Sequence, residues 1–133
     1  MKNVSLNDCV SFHGHLCGGV TMGYIMANYA LEQLNATAED DLYCRMECQN
    51  CMVDGVQCVT GCTIGKRNLE LFLTGEPAMT LARKSDGKGV RVTAKFTARK
   101  EGLSRKETSD LMMQTDPSEI CHAEEATLII PKK

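Results

Sequence analysis

The sequence lacks tryptophan and has few other aromatic residues, with three tyrosines and three phenylalanines among 133 residues. So few rings form no ladder of stacking side chains of the kind that binds single-stranded nucleic acid. Neither sign of charge dominates, because 15 lysine and arginine residues face 17 aspartate and glutamate residues. Without a basic stripe, nucleic acid is not expected as a partner.

Long apolar runs are also absent. No stretch reaches the roughly 18 apolar residues that a membrane-spanning helix requires. The N-terminal segment MKNVSLNDCVSFHGH has no apolar region of the kind found in secretory signals. We therefore expect a cytoplasmic protein that does not associate with membranes.

Cysteine, by contrast, is abundant, with eight residues in the chain. This usage falls below the roughly 8–10% that is typical of small disulfide scaffolds. A chain of this length buries enough surface to fold without crosslinks, and a cytosolic chain keeps its thiols reduced. Metal binding or redox chemistry therefore explains the thiols better than a disulfide framework does. The same length predicts a single domain over residues 1–133.

The segment FHGHLC, residues 12–17, places two histidines and a cysteine within five positions. Imidazole and thiolate are ligands for zinc, nickel and iron. On an extended segment His13 and His15 would face opposite ways, whereas a turn at Gly14 lets both converge with Cys17. The alternative is that one histidine hydrogen-bonds to a helix end while the other is exposed.

A second candidate segment, TGCTIGKRNLEL, covers residues 60–71. Cys62 follows Gly61 in a predicted turn, which exposes a thiol to a cleft unless the cysteine is simply a small buried residue. Cys51 and Asp54 lie about one helical turn apart in the predicted helix that precedes this segment. They supply a second thiolate and a carboxylate that either binds metal or orients a histidine ligand, unless Asp54 only caps a helix.

Two cysteine pairs have spacings used in zinc knuckles and dithiol redox sites, namely Cys48 with Cys51 and Cys58 with Cys62. Four thiols within 15 residues also suit a closed zinc site or an iron–sulfur cluster, although the usual cluster strings are missing. The sequence leaves the roles of five cysteines open: Cys9, Cys44, Cys48, Cys58 and Cys121.

The string GCTIGK is one residue short of a phosphate-binding P-loop, and Arg67 stands where serine or threonine would bind magnesium. Lys66 and Asn68 nevertheless remain candidates for binding an anionic substrate or cofactor. The alternative is an ordinary solvated turn.

Hydrophobic periodicity and capping signals predict an α+β fold, with helices packed on a mostly antiparallel sheet. Helices are expected over residues 16–34, 51–59 and 105–114, with a further helix start at Asp116-Pro117. Strands are expected over residues 42–48, 68–73, 78–84 and 89–96, and the apolar run 127–130 is expected to dock as a strand or an arm.

Two finer expectations concern packing. Gly19 and Gly23 are costly inside a helix, so we expect them to allow close packing or the approach of a ligand. Residues 42–48 alternate, which predicts one buried face formed by Leu42, Cys44, Met46 and Cys48, and one outward face formed by Tyr43, Arg45 and Glu47.

Taken together, the strings FHGHLCGG, NCMVDGVQCVTGCTIGKRNL and ARKSDGKGVRV resemble the FmdE family of proteins related to formylmethanofuran dehydrogenase, over roughly residues 11–95. The resemblance implies an FwdE-like α+β domain that pairs into dimers and carries a metal site near a cleft. Some relatives add a zinc finger with two cysteine pairs, for which only Cys121-His122 is present here. Many relatives have proline at position Gly18 and glycine at position Arg67.

The leading prediction is a homodimeric metal-binding protein linked to formylmethanofuran dehydrogenase or a related molybdenum or tungsten enzyme. Zinc is the expected metal, with nickel or iron as other first-row choices. His15, Cys17 and Cys62 are the expected ligands, with His13, Cys51 and Asp54 as further ligands or their supporting partners. Three ligands and an open position would suit a metal-dependent hydrolase or one-carbon transfer enzyme.

Two alternatives stay open. The first is a non-enzymatic accessory protein that carries a metal or a molybdenum cofactor to a partner enzyme, a role that surplus thiols would assist. The second is a redox sensor in which Cys48 and Cys51, or Cys58 and Cys62, are oxidised reversibly. Substitution of Cys48 would abolish the sensor and leave a metal site at His15, Cys17 and Cys62 largely intact.

Overall fold

The computed structural model describes residues 4–37, 39–95 and 102–130. The helices are α1 (Leu6–His13), α2 (Gly18–Leu34), α3 (Cys51–Thr60), α4 (Arg105–Gln114) and α5 (Pro117–Ile120). The strands are β1 (Leu42–Met46), β2 (Leu69–Leu71), β3 (Ala78–Arg83), β4 (Lys88–Ala94) and β5 (Cys121–Thr127). The predicted α+β class is confirmed, and α2, α3 and α4 lie where the sequence placed them.

The five strands form one sheet in the order β2-β1-β3-β4-β5. All neighbouring pairs are antiparallel except β1 and β2, whose parallel pairing aligns Cys44 with Leu69. Asp86-Gly87 forms the turn of the β3–β4 hairpin, where Gly87 has a φ of 75° that favours glycine. The sheet is therefore mostly antiparallel, as predicted.

Helix α2 lies at the centre of the core that covers one face of the sheet. Its Met26, Ala27 and Ala30 side chains are fully buried, as is Cys44 of β1. This helix contacts α1, α3 and α4 as well as strands of the sheet. Burial of apolar surface stabilises a fold by about 25 cal/mol per Å², so the buried side chains of α2 contribute favourable free energy to folding.

Helices α2 and α3 pack unusually closely because glycines line their contact. A Cβ at Gly19 would lie 2.7 Å from the Cβ of Cys51, and one at Gly55 would lie 2.7 Å from the Val20 carbonyl oxygen. A Cβ at Gly23 would collide with the backbone carbonyl of Met52. The expectation that Gly19 and Gly23 allow close packing is confirmed, and this contact brings the start of α3 against the start of α2.

The opposite face of the sheet is not fully polar, which corrects the predicted alternation in β1. Leu42, Cys44 and Met46 face the core as expected, but Tyr43 and Glu47 on the other face are also buried. Tyr43 packs with Ala82 and Leu128 in a small second cluster. Glu47 is buried because it accepts hydrogen bonds from Arg91 Nε and Nη2 at 2.7 and 3.0 Å.

Two further differences from the sequence prediction concern the chain ends. Helix α1 was not predicted, and it places His13 at a helix C-terminus. The last strand is residues 121–127 rather than the run 127–130, and its residues pair with β4 along the sheet edge. Leu128 then docks as an arm, with its N–H donating to the Gly87 carbonyl oxygen. Phe96, the predicted end of the preceding strand, lies outside the described residues.

Candidate metal centre

Three helix ends meet at one point and bring together a histidine and two cysteines. His13 is the last residue of α1, Cys17 is the N-cap of α2, and Cys51 is the first residue of α3. One ligand atom from each residue lies within 4.8 Å of the other two. All three side chains are half-buried. This geometry is that of a group able to hold a metal ion.

The chain bends between α1 and α2 because Gly14 adopts a φ of 108°, which ends α1 in a left-handed cap. Its N–H donates to the Val10 carbonyl oxygen at 2.8 Å. The predicted turn at Gly14 is therefore present. It returns the chain so that Cys17 lies beside His13 only four residues later.

The two ring nitrogens of His13 have different surroundings. The Nδ1 atom lies 2.7 Å from the Asp54 carboxylate, which can only accept, so the proton is assigned to Nδ1. The Nε2 atom then carries a free lone pair. It is buried, and among the described residues it has no hydrogen-bond partner. A buried polar atom without a partner usually costs about 1–3 kcal/mol, which metal coordination would remove.

The two thiols are fixed at helix N-termini. The Val20 N–H donates to Cys17 Sγ at 3.4 Å, and Asn50 Oδ1 caps α3 by accepting from the Met52 N–H at 2.9 Å. Burial and the adjacent Cys17 thiol raise the pKa of Cys51 above its ordinary value. A metal ion would displace the thiol protons, so its binding should release protons to solvent.

The donor set fits a borderline divalent ion. In a tetrahedral zinc site with bonds of about 2.0–2.3 Å, ligand atoms lie roughly 3.5–3.8 Å apart. The ligand atoms of this group lie up to 4.8 Å apart, so small side-chain rotations would bring them to the separations of a zinc site. The Asp54–His13 contact also reproduces the carboxylate–histidine arrangement common around zinc, in which the carboxylate fixes the ring and its tautomer.

His15 and Cys62 lie outside this group. His15 is exposed, and its ring lies 4.6 Å from the His13 ring between centroids. Cys62 is 1% exposed within the hydrophobic core, and burial raises its pKa. It lies near Cys44, whose pKa is raised by burial and by Cys62. Of the five cysteine and histidine residues predicted as ligands, the structure brings three together.

Lys66 and Asn68 form part of the loop after Cys62. Lys66 is exposed, and its N–H donates to Thr63 Oγ1 at 3.1 Å. Asn68 Oδ1 accepts from the Thr63 N–H at 2.7 Å, so this amide closes the loop on itself. Neither residue lines the cavity described below. Their role in binding an anion stays a prediction.

The remaining cysteines are separate from the candidate centre. Cys9 lies beside Cys58 between α1 and α3, and burial with this second thiol raises the pKa of Cys9 to about 12. Cys121 is buried at the start of β5, which raises its pKa to about 11. Burial likewise raises the pKa of Cys48. The thiol beside Cys51 is thus Cys17, whereas the sequence suggested Cys48.

A cavity of about 380 Å³ opens beside Cys17 and Cys51. Its volume lies within the range of small-molecule sites. Because Cys17 and Cys51 line this cavity, a metal ion held by the group would have room for a fourth ligand from solvent or substrate. The fold and the site together define a class: a small α+β protein with a Cys2His group where three helix ends meet.

The chain belongs to the FmdE family, described as "FmdE, Molybdenum formylmethanofuran dehydrogenase operon", whose model matches residues 12–130. The structure is similar to that of a tungsten formylmethanofuran dehydrogenase FmdE-like protein from Syntrophus aciditrophicus. The TM-score is 0.76 at 25% identity, and the match covers 96% of this chain and 74% of that one. The family predicted from the sequence is therefore confirmed.

A curated relative is the "Probable S-adenosyl-L-methionine-binding protein" of Archaeoglobus fulgidus, which is 42% identical over 87 residues. That match covers 61% of this chain and 24% of the relative, so this chain spans about a quarter of its length. Among the described residues, no helix combines the length and apolarity needed to cross a membrane.

The helix that positions His13 had a signal that the sequence analysis missed. Ser5 and Asp8 form a capping box, in which the Asp8 N–H donates to Ser5 Oγ and the Ser5 N–H donates to Asp8 Oδ2. The string from Ser5 to Asp8 fits the S-x-x-D form of this motif. The same motif correctly predicted α4 at Ser104. Used at Ser5, it would have placed His13 at a helix end.

Proposed function

We propose that this protein binds a divalent first-row metal ion, zinc foremost, through His13 Nε2 and the sulfur atoms of Cys17 and Cys51. The observation that carries the proposal is the buried Nε2 of His13, which lacks a partner among the described residues and belongs to an imidazole with a ring nitrogen within 4.8 Å of two cysteine sulfur atoms. Nickel and iron suit the same donors. Asp54 would hold the imidazole in place and increase its basicity through Nδ1.

We infer an enzymatic role from the open side of this group. A bound metal ion would act as a Lewis acid that polarises a carbonyl group or lowers the pKa of a water molecule. The protein residues would hold the ion at the cavity, orient His13 and admit substrate beside Cys17 and Cys51. A hydrolytic or one-carbon transfer reaction fits these parts.

We also propose an association with formylmethanofuran dehydrogenase or a related molybdenum or tungsten enzyme. The family description and the name of the Syntrophus structure support this partner. A homodimer is part of the same proposal. The exposed apolar side chains of Ile64, Phe72 and Leu73 near strand β2 are consistent with a protein surface that another chain covers.

A second candidate function is delivery of a metal to a partner enzyme without catalysis. Its support is that Cys17 and Cys51 are only half-buried and border an open cavity, so a competing ligand can reach the metal. The rate of zinc transfer to an excess of a chromogenic chelator separates the two roles. Transfer within seconds favours delivery, whereas retention for hours favours a resident catalytic metal.

The test of the metal centre is elemental analysis of anaerobically purified protein. We expect about one metal ion per chain in wild type, and its loss in the His13→Ala and Cys51→Ala variants. Cys48→Ala is the matched control, because its half-buried thiol precedes α3 but lies outside the group. Circular dichroism of each variant shows whether the fold survives.

Two further variants compare the ligand sets. His15→Ala and Cys62→Ala should retain the metal if His13, Cys17 and Cys51 are the ligands, and should lose it if the set expected from sequence is right. A wild-type protein without metal, whose thiols oxidise reversibly, would overturn the metal proposal in favour of a redox sensor. Loss of that oxidation in Cys17→Ala would then identify the Cys17–Cys51 pair as the sensor.

A further inference from the structure

We propose that the cavity beside Cys17 and Cys51 binds a small organic anion, one with a carboxylate or phosphate group and a short apolar body. The inference deepens the proposed function, since it names the substrate class that would face the metal. The inference rests on the proposed function only in assuming a metal ion at one end of the cavity. The cationic and apolar side chains that line the cavity are present whether or not a metal ion is bound.

Two cations from different elements line the cavity, Lys95 just after β4 and Arg105 at the start of α4. No carboxylate is among the described residues that line it, and no ion pair involves either cation within the described part of the chain. The protein as a whole has a net charge of −2. This local positive charge therefore contrasts with the rest of the molecule and favours an anion.

The backbone around the cavity also favours an anionic ligand. Gly18 and Gly19 form the first turn of α2, a 17-residue helix whose N-terminal N–H groups attract anions. A Cβ at Gly18 would meet nothing within 4 Å, so the cavity reaches the backbone there. The N-terminus of α2 adds to the two side-chain cations and does not define the site alone.

Helix α4, which begins at Arg105, is joined to α2 by a buried polar contact. The hydroxyl oxygens of Thr21 and Ser109 lie 2.9 Å apart, both fully or almost fully buried. Thr21 Oγ1 also donates to the Cys17 carbonyl oxygen at 2.9 Å. The contact thus joins α4 to the first turns of α2, directly after the candidate metal ligand Cys17, and places the start of α4 at the cavity.

The rest of the lining is mostly apolar, with Thr108 as its polar side chain. Met22, Met112 and Ile120 line the cavity and are between 2% and 8% exposed. An apolar body held by these side chains would be anchored at its anionic end by Lys95 and Arg105. Inorganic phosphate, which lacks an apolar body, should bind more weakly than an alkyl carboxylate.

The test is an NMR titration of the zinc-loaded protein with hexanoate, hexanamide and inorganic phosphate. We expect saturable shifts at the Gly18 and Gly19 amides with hexanoate, and at least tenfold weaker binding of the other two. Arg105→Gln and Lys95→Gln should each weaken hexanoate binding about 5- to 20-fold, less than the roughly 10- to 150-fold of a well-shielded charge-assisted hydrogen bond because both cations are exposed to solvent. Lys106→Gln is the matched control, since Lys106 is next to Arg105 and 79% exposed.

The outcomes separate this inference from the metal proposal. Three outcomes would overturn the anion site alone. Hexanoate and hexanamide could bind equally well, or Lys106→Gln and Arg105→Gln could lose hexanoate affinity equally. The third outcome is that hexanoate does not bind to a protein that retains zinc. If zinc does not bind, the same titration is run on the protein without zinc. Charge-dependent binding through Arg105 would then support the anion site while the metal proposal fails, and its absence would overturn both.

Discussion

Among single residues, His13 is central to the candidate centre, because its side chain lies beside Asp54, Cys17 and Cys51. Its position at the end of α1 places the imidazole against α3, where Nδ1 contacts Asp54, Nε2 has no partner among the described residues, and Cys17 and Cys51 lie beside the ring. Asp54 contacts the imidazole and does not need to contact a metal. Its effect would be exerted through the orientation and basicity of the ring.

Asp54→Asn should weaken zinc binding about 10- to 100-fold, because the amide retains size but loses the charge that supports the histidine. The measurement is competition with a chelator of known affinity at pH 7. Gln57→Ala is the control, since Gln57 contacts Asp54 only at 3.4 Å and should change the affinity less than about threefold. Wild-type affinity in Asp54→Asn would contradict this role.

Arg67 is in a backbone conformation that suits glycine, the residue many relatives are expected to have there. Its φ is 62°, in the left-handed region that costs a residue with a Cβ about 1–2 kcal/mol. Glycine removes that cost but gains entropy in the unfolded chain. We therefore expect Arg67→Gly to raise the free energy of unfolding by about 0.5–1 kcal/mol in urea denaturation. A loss of stability would show that the arginine side chain makes a compensating contact.

At the scale of elements, the contact between α2 and α3 determines the site. Glycines let the two helices approach until Cys51 lies at the start of α2, and both cysteines then occupy helix N-termini. The close approach is therefore required for the metal group as well as for core packing. A larger residue in this contact should affect stability and metal binding together.

Gly23→Ala should lower the free energy of unfolding by about 3 kcal/mol or more, since its Cβ would collide with the Met52 backbone, which cannot rotate away. It should also weaken zinc binding, because α3 carries Cys51. Gly18→Ala is the control in the same helix, where a Cβ meets nothing and no stability is lost. Urea denaturation of both variants measures this difference in the free energy of unfolding. A fully stable Gly23→Ala protein would rule out the tight contact.

Glu47, directly after β1, accepts two hydrogen bonds from Arg91 of β4 and one from Thr74 Oγ1 at 3.0 Å. Arg91 holds the pKa of Glu47 below its ordinary value of 4.5. A carboxylate with a lowered pKa in the folded state stabilises the protein fully above about pH 5. That stabilisation disappears as the pH falls through the folded-state pKa.

Glu47→Gln should therefore cost about 2 kcal/mol at pH 7, and the difference from wild type should shrink as the pH is lowered below 4.5. Glu124→Gln is the control, because Glu124 contacts the same Arg91 but its side chain is 50% exposed. Its cost should stay below about 0.5 kcal/mol. Denaturation curves between pH 3 and pH 8 test both. If the difference in free energy of unfolding between wild type and Glu47→Gln did not change with pH, the stabilising role of the Glu47 charge would be contradicted.

At the scale of the whole molecule, much of the fold was predictable from the sequence. Periodicity and capping residues placed α2, α3 and α4, and the Asp86-Gly87 pair marked the β3–β4 turn. The final strand was misplaced because its residues, CHAEEAT, are mostly polar and show little β-propensity. Its position is set by pairing with β4, a tertiary contact that no local pattern reports.

The candidate site was predictable only in part for the same reason. The motif strings identified His13, Cys17 and Cys51, but they could not exclude Cys62, whose burial depends on how its loop packs against β1. Lys95 and Arg105 come from separate elements and share no motif. Their proximity follows from the Lys95 N–H donating to Ile120 and from α4 docking on α2. That residues 1–133 form one domain, and that two copies pair, stay predictions.

The most direct test of the metal centre is X-ray absorption spectroscopy of the zinc-loaded protein, wild type beside His13→Ala that has been saturated with added zinc after purification. We predict two sulfur neighbours at about 2.3 Å and two nitrogen or oxygen neighbours at about 2.0–2.1 Å, one of them an imidazole that is lost in the variant. Three or four sulfur neighbours, or an imidazole signal unchanged in His13→Ala, would contradict the assignment of His13, Cys17 and Cys51.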